Sequence, residues 1–407
     1  MKIGLLAYHS AINFGATLQL YSTYCYLQNH GHEPVVINWI AADLDAYYEQ
    51  TSTEVQRQQQ LAIRRELWTE TALCRTSEEV ARAIEQEGIE AVIIGSDAVA
   101  QYHTRLERLA FPCRTIIGLN GTHSDCQFPN AFWADWADYL KRPVPVAVIS
   151  ASSQDSVYRY FVGATREAMC KRVMQYRYLS VRDEWTQQMM IHITNGQRVP
   201  RVTPDPVFAF SQNAASILPS KEELLYRLGL PGRYVLMSFI NDRTVTQSWI
   251  DEFAQLCRQD GLTPVMLPFA HKTSFGHADY EVSLPLSPID WYALIRYSEG
   301  YVGHNMHPVV VSLHNGVPFF SFDNYGTKRF NGLWPTDRSS KIRHILSRAG
   351  LMEQRVSCIS KTFKAPSPEV VYEQLRCIDR KKMNSFAKEY LSEYNQMMTD
   401  VLSAIAK

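Results

Sequence analysis

Residues 2–39 read KIGLLAYHSAINFGATLQLYSTYCYLQNHGHEPVVINW, and this stretch decides the fold. Lys2 to Tyr8 is an apolar run with the length of a buried strand. Ala16 to Asn29 is a mostly apolar helix stopped by Gly31, and Pro34 to Trp39 has the composition of the next strand. Strand, helix and strand in so few residues make one βαβ unit, whose strands lie parallel in one sheet. The loop joining strand to helix holds a single glycine, Gly15, with Asn13 before it and Gln19 after it. One glycine makes one tight turn and cannot cradle a pyrophosphate as a GxGxxG or GxxxxGK(S/T) loop does, so the loop speaks against NAD and P-loop nucleotides. Asn13 and Gln19 are amides that hydrogen-bond without charge, which suits a sugar diol. An Asn turn and an exposed Gln are the plainer alternative.

The same alternation continues. Residues 41–90 are charged, rich in Gln and Glu and free of glycine until Gly88, which predicts helical covering between strands. Ala91 to Ile94 is a strand ending in Gly95-Ser96-Asp97. Val144 to Ile149 leads into Ser150-Ala151-Ser152-Ser153, and Tyr178 to Val181 into Arg182-Asp183. Ligands of open α/β sheets sit at the carboxyl ends of strands, so these polar clusters are expected to share a rim. A first domain is expected over 1–212, closing around Asp205-Pro206-Val207-Phe208, with Ser211 to Ser220 as a linker. A second is expected over 213–365, with strands Tyr234 to Ile240, Pro264 to Pro268, Gly300 to Gly303 and Pro318 to Phe322. Helices Gln247 to Gln259, Ile289 to Ser298 and one from about Pro308 lie between them. Residues 366–407 predict a helical tail packing back on the first domain. The expected class is α/β: two Rossmann-like domains facing a cleft, with the C-terminal helix crossing back.

A chain of 407 residues suits two domains of ordinary size. Acidic and basic residues balance at 41 each with no long run of either sign, which excludes a field built for nucleic acid or for an anionic membrane. MKIGLLAYHS is too short for a signal segment and no later window approaches a membrane span, so a cytoplasmic protein is expected. Its eight cysteines, scattered without CxxC or Cys/His clustering, predict reduced thiols.

The sharpest chemical signal is Gly303-His304-Asn305-Met306-His307-Pro308, followed by Asn315-Gly316-Val317-Pro318. Pro308 suits a first helical turn and Gly316 the far cap, so His307 sits at a helix N-terminus. That position attracts anions, and a histidine there donates to phosphate or moves a proton near neutral pH; a plain cap is the alternative. His304 reads as a loop residue and His314 as a packed or solvated one. Zinc held by the three histidines lacks the carboxylate of an HExxH pattern, and no metal is called for. Lys328 and Arg329 bring two cations to the same rim, and Arg182, Asn241 and Arg243 each follow an apolar strand. Ion pairing, helix capping or solvation is the alternative for each.

Asn13-Phe14-Gly15-Ala16-Thr17-Leu18-Gln19, Ile94-Gly95-Ser96-Asp97, Ser180-Val181-Arg182, Asp205-Pro206 and Met306-His307 followed by Asn315-Gly316-Val317-Pro318 come in an order that resembles the polysaccharide pyruvyl transferase family. The resemblance implies a fold similar to the GT-B glycosyltransferases. It also implies transfer of pyruvate from phosphoenolpyruvate onto two sugar hydroxyls as a cyclic ketal, with phosphate leaving and no cofactor. It makes His307 the candidate acid or phosphate ligand, with Arg182 and Lys328 as catalytic clamps. Asn241, Arg243, Asn305, Met306 and Arg329 become donor contacts, and Asn13, Gly15, Gln19, Ser96 and Asp97 acceptor contacts. The family triplet at the catalytic helix is similar to Arg-Leu-His, whereas this chain has Asn305-Met306-His307. The arginine is absent, and Arg182, Arg243, Lys328 or Arg329 is expected to replace its charge. Ala100 likewise stands where the family often has an aromatic.

Two other functions compete. A nucleotide-sugar glycosyltransferase on the same architecture needs a carboxylate for the ribose hydroxyls, and Val317 to Lys328 offers only Asp323. A non-catalytic sugar-binding relative would explain the missing arginine. The expected partners are phosphoenolpyruvate and a sugar acceptor, with no nucleic acid. A lipid-linked acceptor would bring the protein to the inner face of the membrane.

Overall fold

The computed structural model describes residues 1–113, 116–329 and 334–406, with side chains described outside 110–117 and 328–334. The first half holds β1 (Lys2–Leu6), α1 (Phe14–Asn29), β2 (Glu33–Val36), α2 (Ala42–Thr51), α3 (Glu54–Leu67), α4 (Ser77–Gln86) and β3 (Ala91–Asp97). A hairpin of β4 (Leu109–Cys113) and β5 (Ile116–Leu119) follows, then β6 (Val146–Ala151), α5 (Gly163–Gln175), β7 (Tyr178–Val181), α6 (Glu184–Ile193), β8 (Arg201–Val202) and α7 (Phe210–Asn213). The second half holds α8 (Lys221–Leu228), β9 (Tyr234–Ser238), α9 (Gln247–Gln259), β10 (Thr263–Met266), β11 (Tyr280–Glu281), α10 (Pro288–Tyr297), β12 (Gly300–Gly303), α11 (Met306–Asn315) and β13 (Phe319–Asp323). The hairpin β14 (Thr327–Arg329) and β15 (Trp334–Thr336) comes next, then α12 (Lys341–Ala349), β16 (Arg355–Ser357), α13 (Pro368–Arg376) and α14 (Arg380–Ile405).

Two six-stranded sheets result, in the orders β2-β1-β3-β6-β7-β8 and β11-β10-β9-β12-β13-β16. Every pairing in both is parallel. Their central strands are buried along their length, as strands covered on both faces must be. Each chain half starts mid-sheet, builds to one edge, then returns to build the other. The connections therefore reverse between β1 and β3 and again between β9 and β12. Those two gaps, at the carboxyl ends, are where open α/β sheets take ligands.

The α1 helix explains how the halves meet. Asn13 Oδ1 caps it, accepting from the N–H groups of Gly15 at 3.0 Å and Ala16 at 3.4 Å, so it starts at Phe14. Phe14 to Leu27 is buried on every face, the mark of a helix enclosed by protein all round. Phe14 packs on Trp291 of α10 with ring centroids 5.4 Å apart, and one apolar core runs from the first sheet through α1, α10 and α11 into α14.

The tail crosses back, because α14 turns Tyr390, Tyr394, Met397 and Met398 inward. Met397 Sδ accepts from Ser150 Oγ at 3.3 Å, and the Tyr390 ring lies 4.7 Å from Phe208. The segment Ser211 to Ser220 differs from a linker. It holds the end of α7 and a 3-10 turn over Ala215–Ile217, pinned by Asn213, whose amide donates to Ser22 O and Tyr394 Oη at 3.1 Å. Among the described residues no helix is long and apolar enough to cross a membrane.

Candidate active site

The carboxyl ends of both sheets open on one cavity of about 220 Å³ between the halves. The first half lines it with Ile12 to Gly15 after β1, Asp97 at the end of β3, Gln154 and Arg182. The second lines it with Ser238 at the end of β9, Pro268 to His271, Trp291, Asn305 to Pro308, Tyr325 and Lys341. Both connection reversals thus face the same space. Three of the six non-glycine residues with positive φ among the described residues, Asp97 (φ 76°), Gln154 (φ 53°) and Asn305 (φ 79°), line it too. Each such conformation costs roughly 1 kcal/mol or more, and such costs cluster where geometry serves a ligand.

His307 is the second residue of α11. Asn305 makes no side-chain cap, which leaves the helix N-terminus open. The imidazole lies directly over the backbone of Gly15, where a Cβ would fall 2.0 Å from Nδ1. Its other nitrogen, Nε2, points at Asp205 Oδ2 from 3.9 Å and is buried without a hydrogen-bond partner among the described residues. Asp205 Oδ2 accepts from Arg182 at 2.6 Å and from Gln19 Nε2 at 2.7 Å, while Oδ1 accepts from Val207 N at 2.9 Å. The other end of the Arg182 guanidinium donates to Asp97 Oδ1 at 2.9 Å. The same oxygen accepts from Lys341 Nζ at 3.2 Å. A chain of alternating charge, Asp205, Arg182, Asp97 and Lys341, therefore runs beside His307, and its last three members line the cavity.

Burial works to raise the Asp97 carboxyl, but the charges of Lys341, Arg182 and His307 overcome it and hold Asp97 well below the usual carboxylate range. Burial pushes His307 below its ordinary value; Asp205 and Asp97 oppose that, and Arg182 and Lys341 add to it. Lys341 is lowered by burial first and by Arg182 next, against Asp97 and Asp183. Two carboxylates face two cations around an imidazole whose charged form burial disfavours.

The expected residues distribute unevenly. Asn13, Gly15, Asp97, Arg182, Asn305, Met306 and His307 meet at the cavity. Gln19 does not face it: its amide is buried in α1 and spent on Asp205, because the Asp205-Pro206 turn packs across that helix. Ser96 is buried behind Asp97, its hydroxyl unpaired among the described residues. Asn241 and Arg243 form an exposed turn, Asn241 Oδ1 accepting from Arg243 N at 3.1 Å, away from the lining residues. Lys328 and Arg329 lie on β14, and their side chains fall outside the described residues. The three histidines diverge. His304 accepts from Ile240 N at 3.2 Å, His314 pairs with Ser211 Oγ at 2.6 Å, and burial pushes each down to about 4. Asp323, the carboxylate the glycosyltransferase reading needs for a ribose, is fully buried. It is spent on Arg355 Nε at 2.6 Å, Tyr325 N at 2.8 Å and Ser340 Oγ.

Sequence reasoning passes over Asp205 as a charge partner and over Lys341 altogether. One signal for Lys341 exists. Ser340 caps α12, which puts a lysine at the first helical position, where the dipole disfavours a cation.

Comparison with solved structures places the fold. A protein from Listeria monocytogenes assigned as a UDP-N-acetylglucosamine 2-epimerase superposes with a TM-score of 0.53 at 12% identity, over 99% of this chain and 96% of that one. The UDP-N-acetylglucosamine 2-epimerase of Rickettsia bellii gives 0.52 at 11% identity, over 100% and 97%. These likenesses show a GT-B-like pair of Rossmann-like domains. No curated protein sequence matches the chain. The sequence model of one family, described as polysaccharide pyruvyl transferase, matches residues 13–325. That span runs from the cap of α1 through His307 to Tyr325, and the chain belongs to the polysaccharide pyruvyl transferase family.

Proposed function

We propose that this transferase moves the pyruvyl group of phosphoenolpyruvate onto two hydroxyls of a sugar, forming a cyclic ketal and releasing phosphate. The observation that carries the reading is His307, set on Gly15 and backed by Asp205, in a cavity between two domains whose other charged lining residues are Arg182, Asp97 and Lys341.

The chemistry needs an acid for the enol methylene, a match for the donor's negative charge and a site closed to water. With Nε2 facing Asp205, His307 delivers a proton to the methylene carbon, and the neighbouring carbon becomes oxocarbenium-like. One sugar hydroxyl attacks that carbon and returns its proton to His307. Phosphate leaves with the proton of the second hydroxyl, which closes the ring. Protons balance: two leave the sugar, while the methyl group gains one and phosphate the other. Arg182 fixes Asp97 and Asp205 in place, and the unshared Oδ2 of Asp97 accepts from an acceptor hydroxyl. The acceptor is a sugar of a cell-surface or exopolysaccharide precursor. The enzyme works in the cytoplasm, at the inner membrane face where that precursor is lipid-linked.

A panel of hexosides incubated with phosphoenolpyruvate, each sugar then weighed by mass spectrometry, tests the reading. A pyruvate-sized gain on one glycoside supports it, and turnover of a nucleotide sugar instead refutes it.

A further inference from the structure

Lys341 lies outside the span that the family model matches, at the first position of α12, and its side chain is 5% exposed yet lines the cavity. A lysine at that position stands against the helix dipole, and burial adds to its cost. The local structure holds it there. Ser340 caps α12 by accepting from Arg343 N at 3.1 Å and donates its own hydroxyl proton to Asp323, which anchors the start of the helix.

The two cations that line the cavity are not equivalent. Arg182 gives one terminal nitrogen to Asp205 and the other to Asp97. Lys341 makes one hydrogen bond among the described residues, at 3.2 Å, to an Asp97 oxygen that Arg182 already occupies. An ammonium has three donors, so two remain. Lys341 lines the same cavity as the uncapped first turn of α11, where backbone N–H groups favour negative charge.

We propose that Lys341 is a donor-binding residue, meeting an anionic oxygen of a phosphorylated enol acid between the N-termini of α11 and α12. The assignment rests on the donor reading above. It gives Asn305 an explanation: the charge expected on that strand-to-helix turn enters instead from α12.

The test compares wild-type protein with K341M and K341R, reading steady-state constants for phosphoenolpyruvate and thermal stabilisation by phosphoenolpyruvate and by inorganic phosphate. K341M raises KM for phosphoenolpyruvate by about tenfold or more with a smaller change in kcat, and K341R restores part of the loss. D97N/K341M, which removes both partners of the pair, serves if K341M alone does not fold, and is read against D97N. Wild-type KM and stabilisation in K341M, or no difference between D97N/K341M and D97N, overturns the role of Lys341 and leaves the donor reading standing. Lysine-dependent binding of inorganic phosphate without binding or turnover of phosphoenolpyruvate supports Lys341 as an anion residue and overturns the donor. Wild-type protein that binds neither anion overturns both.

Discussion

The imidazole of His307 rests on the bare Cα of Gly15, so close that a methyl group at residue 15 would fall 2.0 Å from Nδ1 and 2.1 Å from Cγ. The contact joins the two halves of the chain at the cavity. Neither residue can be moved alone.

Gly15→Ala is therefore expected to displace the ring while leaving the fold largely intact, since the residue sits in the first turn of a helix that accepts alanine. A displacement of about 1 Å at a catalytic group can cost about a hundredfold, and kcat should fall by at least that much. Thermal unfolding and turnover, measured on the same preparation, separate the two effects. Wild-type turnover in this variant would show that the ring position does not matter.

Proton uptake should accompany donor binding. Burial holds His307 below its ordinary value in the free site, and a phosphate and a carboxylate arriving beside it raise that value. Between the free-site value, which lies below the ordinary one, and the raised bound-state value, the bound state holds up to about one proton more than the free state, and affinity for phosphoenolpyruvate falls as pH rises through that window. Calorimetry in two buffers of different ionisation enthalpy measures the number directly. H307Q should abolish the uptake and most of the turnover; unchanged uptake would place the proton elsewhere.

Asp205→Asn should be costly to stability as well as to activity. Asp205 is 1% exposed and Oδ2 accepts from both Arg182 and Gln19, so the substitution presents amide hydrogens to donors and leaves Arg182 short of a buried partner. The expected loss is about 3 kcal/mol or more, read from denaturant midpoints at unchanged m-value. A loss under about 1 kcal/mol would mean that water or a rotated side chain replaces the pair.

Asp97 sets an acid limit. Its carboxyl is held low in the fold, so its contribution is present above the unfolded value near pH 4 and is lost as pH falls through the folded value. His307 and Lys341 also have lowered folded values and act in the same direction, adding stability as pH rises from their folded to their unfolded values. D97N should destabilise the protein at pH 7 and flatten the fall in stability below about pH 4, as seen in urea midpoints across pH. An unchanged acid limb would assign it to other carboxylates.

How far the chain can be read without its structure depends on the distance over which each residue acts. The βαβ alternation, the helix Gln247–Gln259 and the place of His307 at a helix start are local patterns, and all are legible. The purpose of Gly15 is not: the sequence predicts a tight turn, whereas the constraint comes from a ring in the other domain. Gln19 offers the same lesson, since its amide points to Asp205 rather than to the cavity. The rim shared by β3 and β7 is foreseen, but the choice of Arg182 as a strut between two carboxylates follows only from their positions in space. Lys341 belongs to a helix entered after a long excursion through β14 and β15, and only its mismatch with the dipole marks it in sequence.

The most direct measurement of the central claim is phosphate release by wild-type protein and H307Q from phosphoenolpyruvate in the presence of candidate glycosides, with each sugar weighed afterwards. The account predicts phosphate release matched one to one by a pyruvate-sized gain on a single class of glycoside, and its loss in H307Q. Equal release by wild type and H307Q, or phosphate without any gain on a sugar, would contradict it.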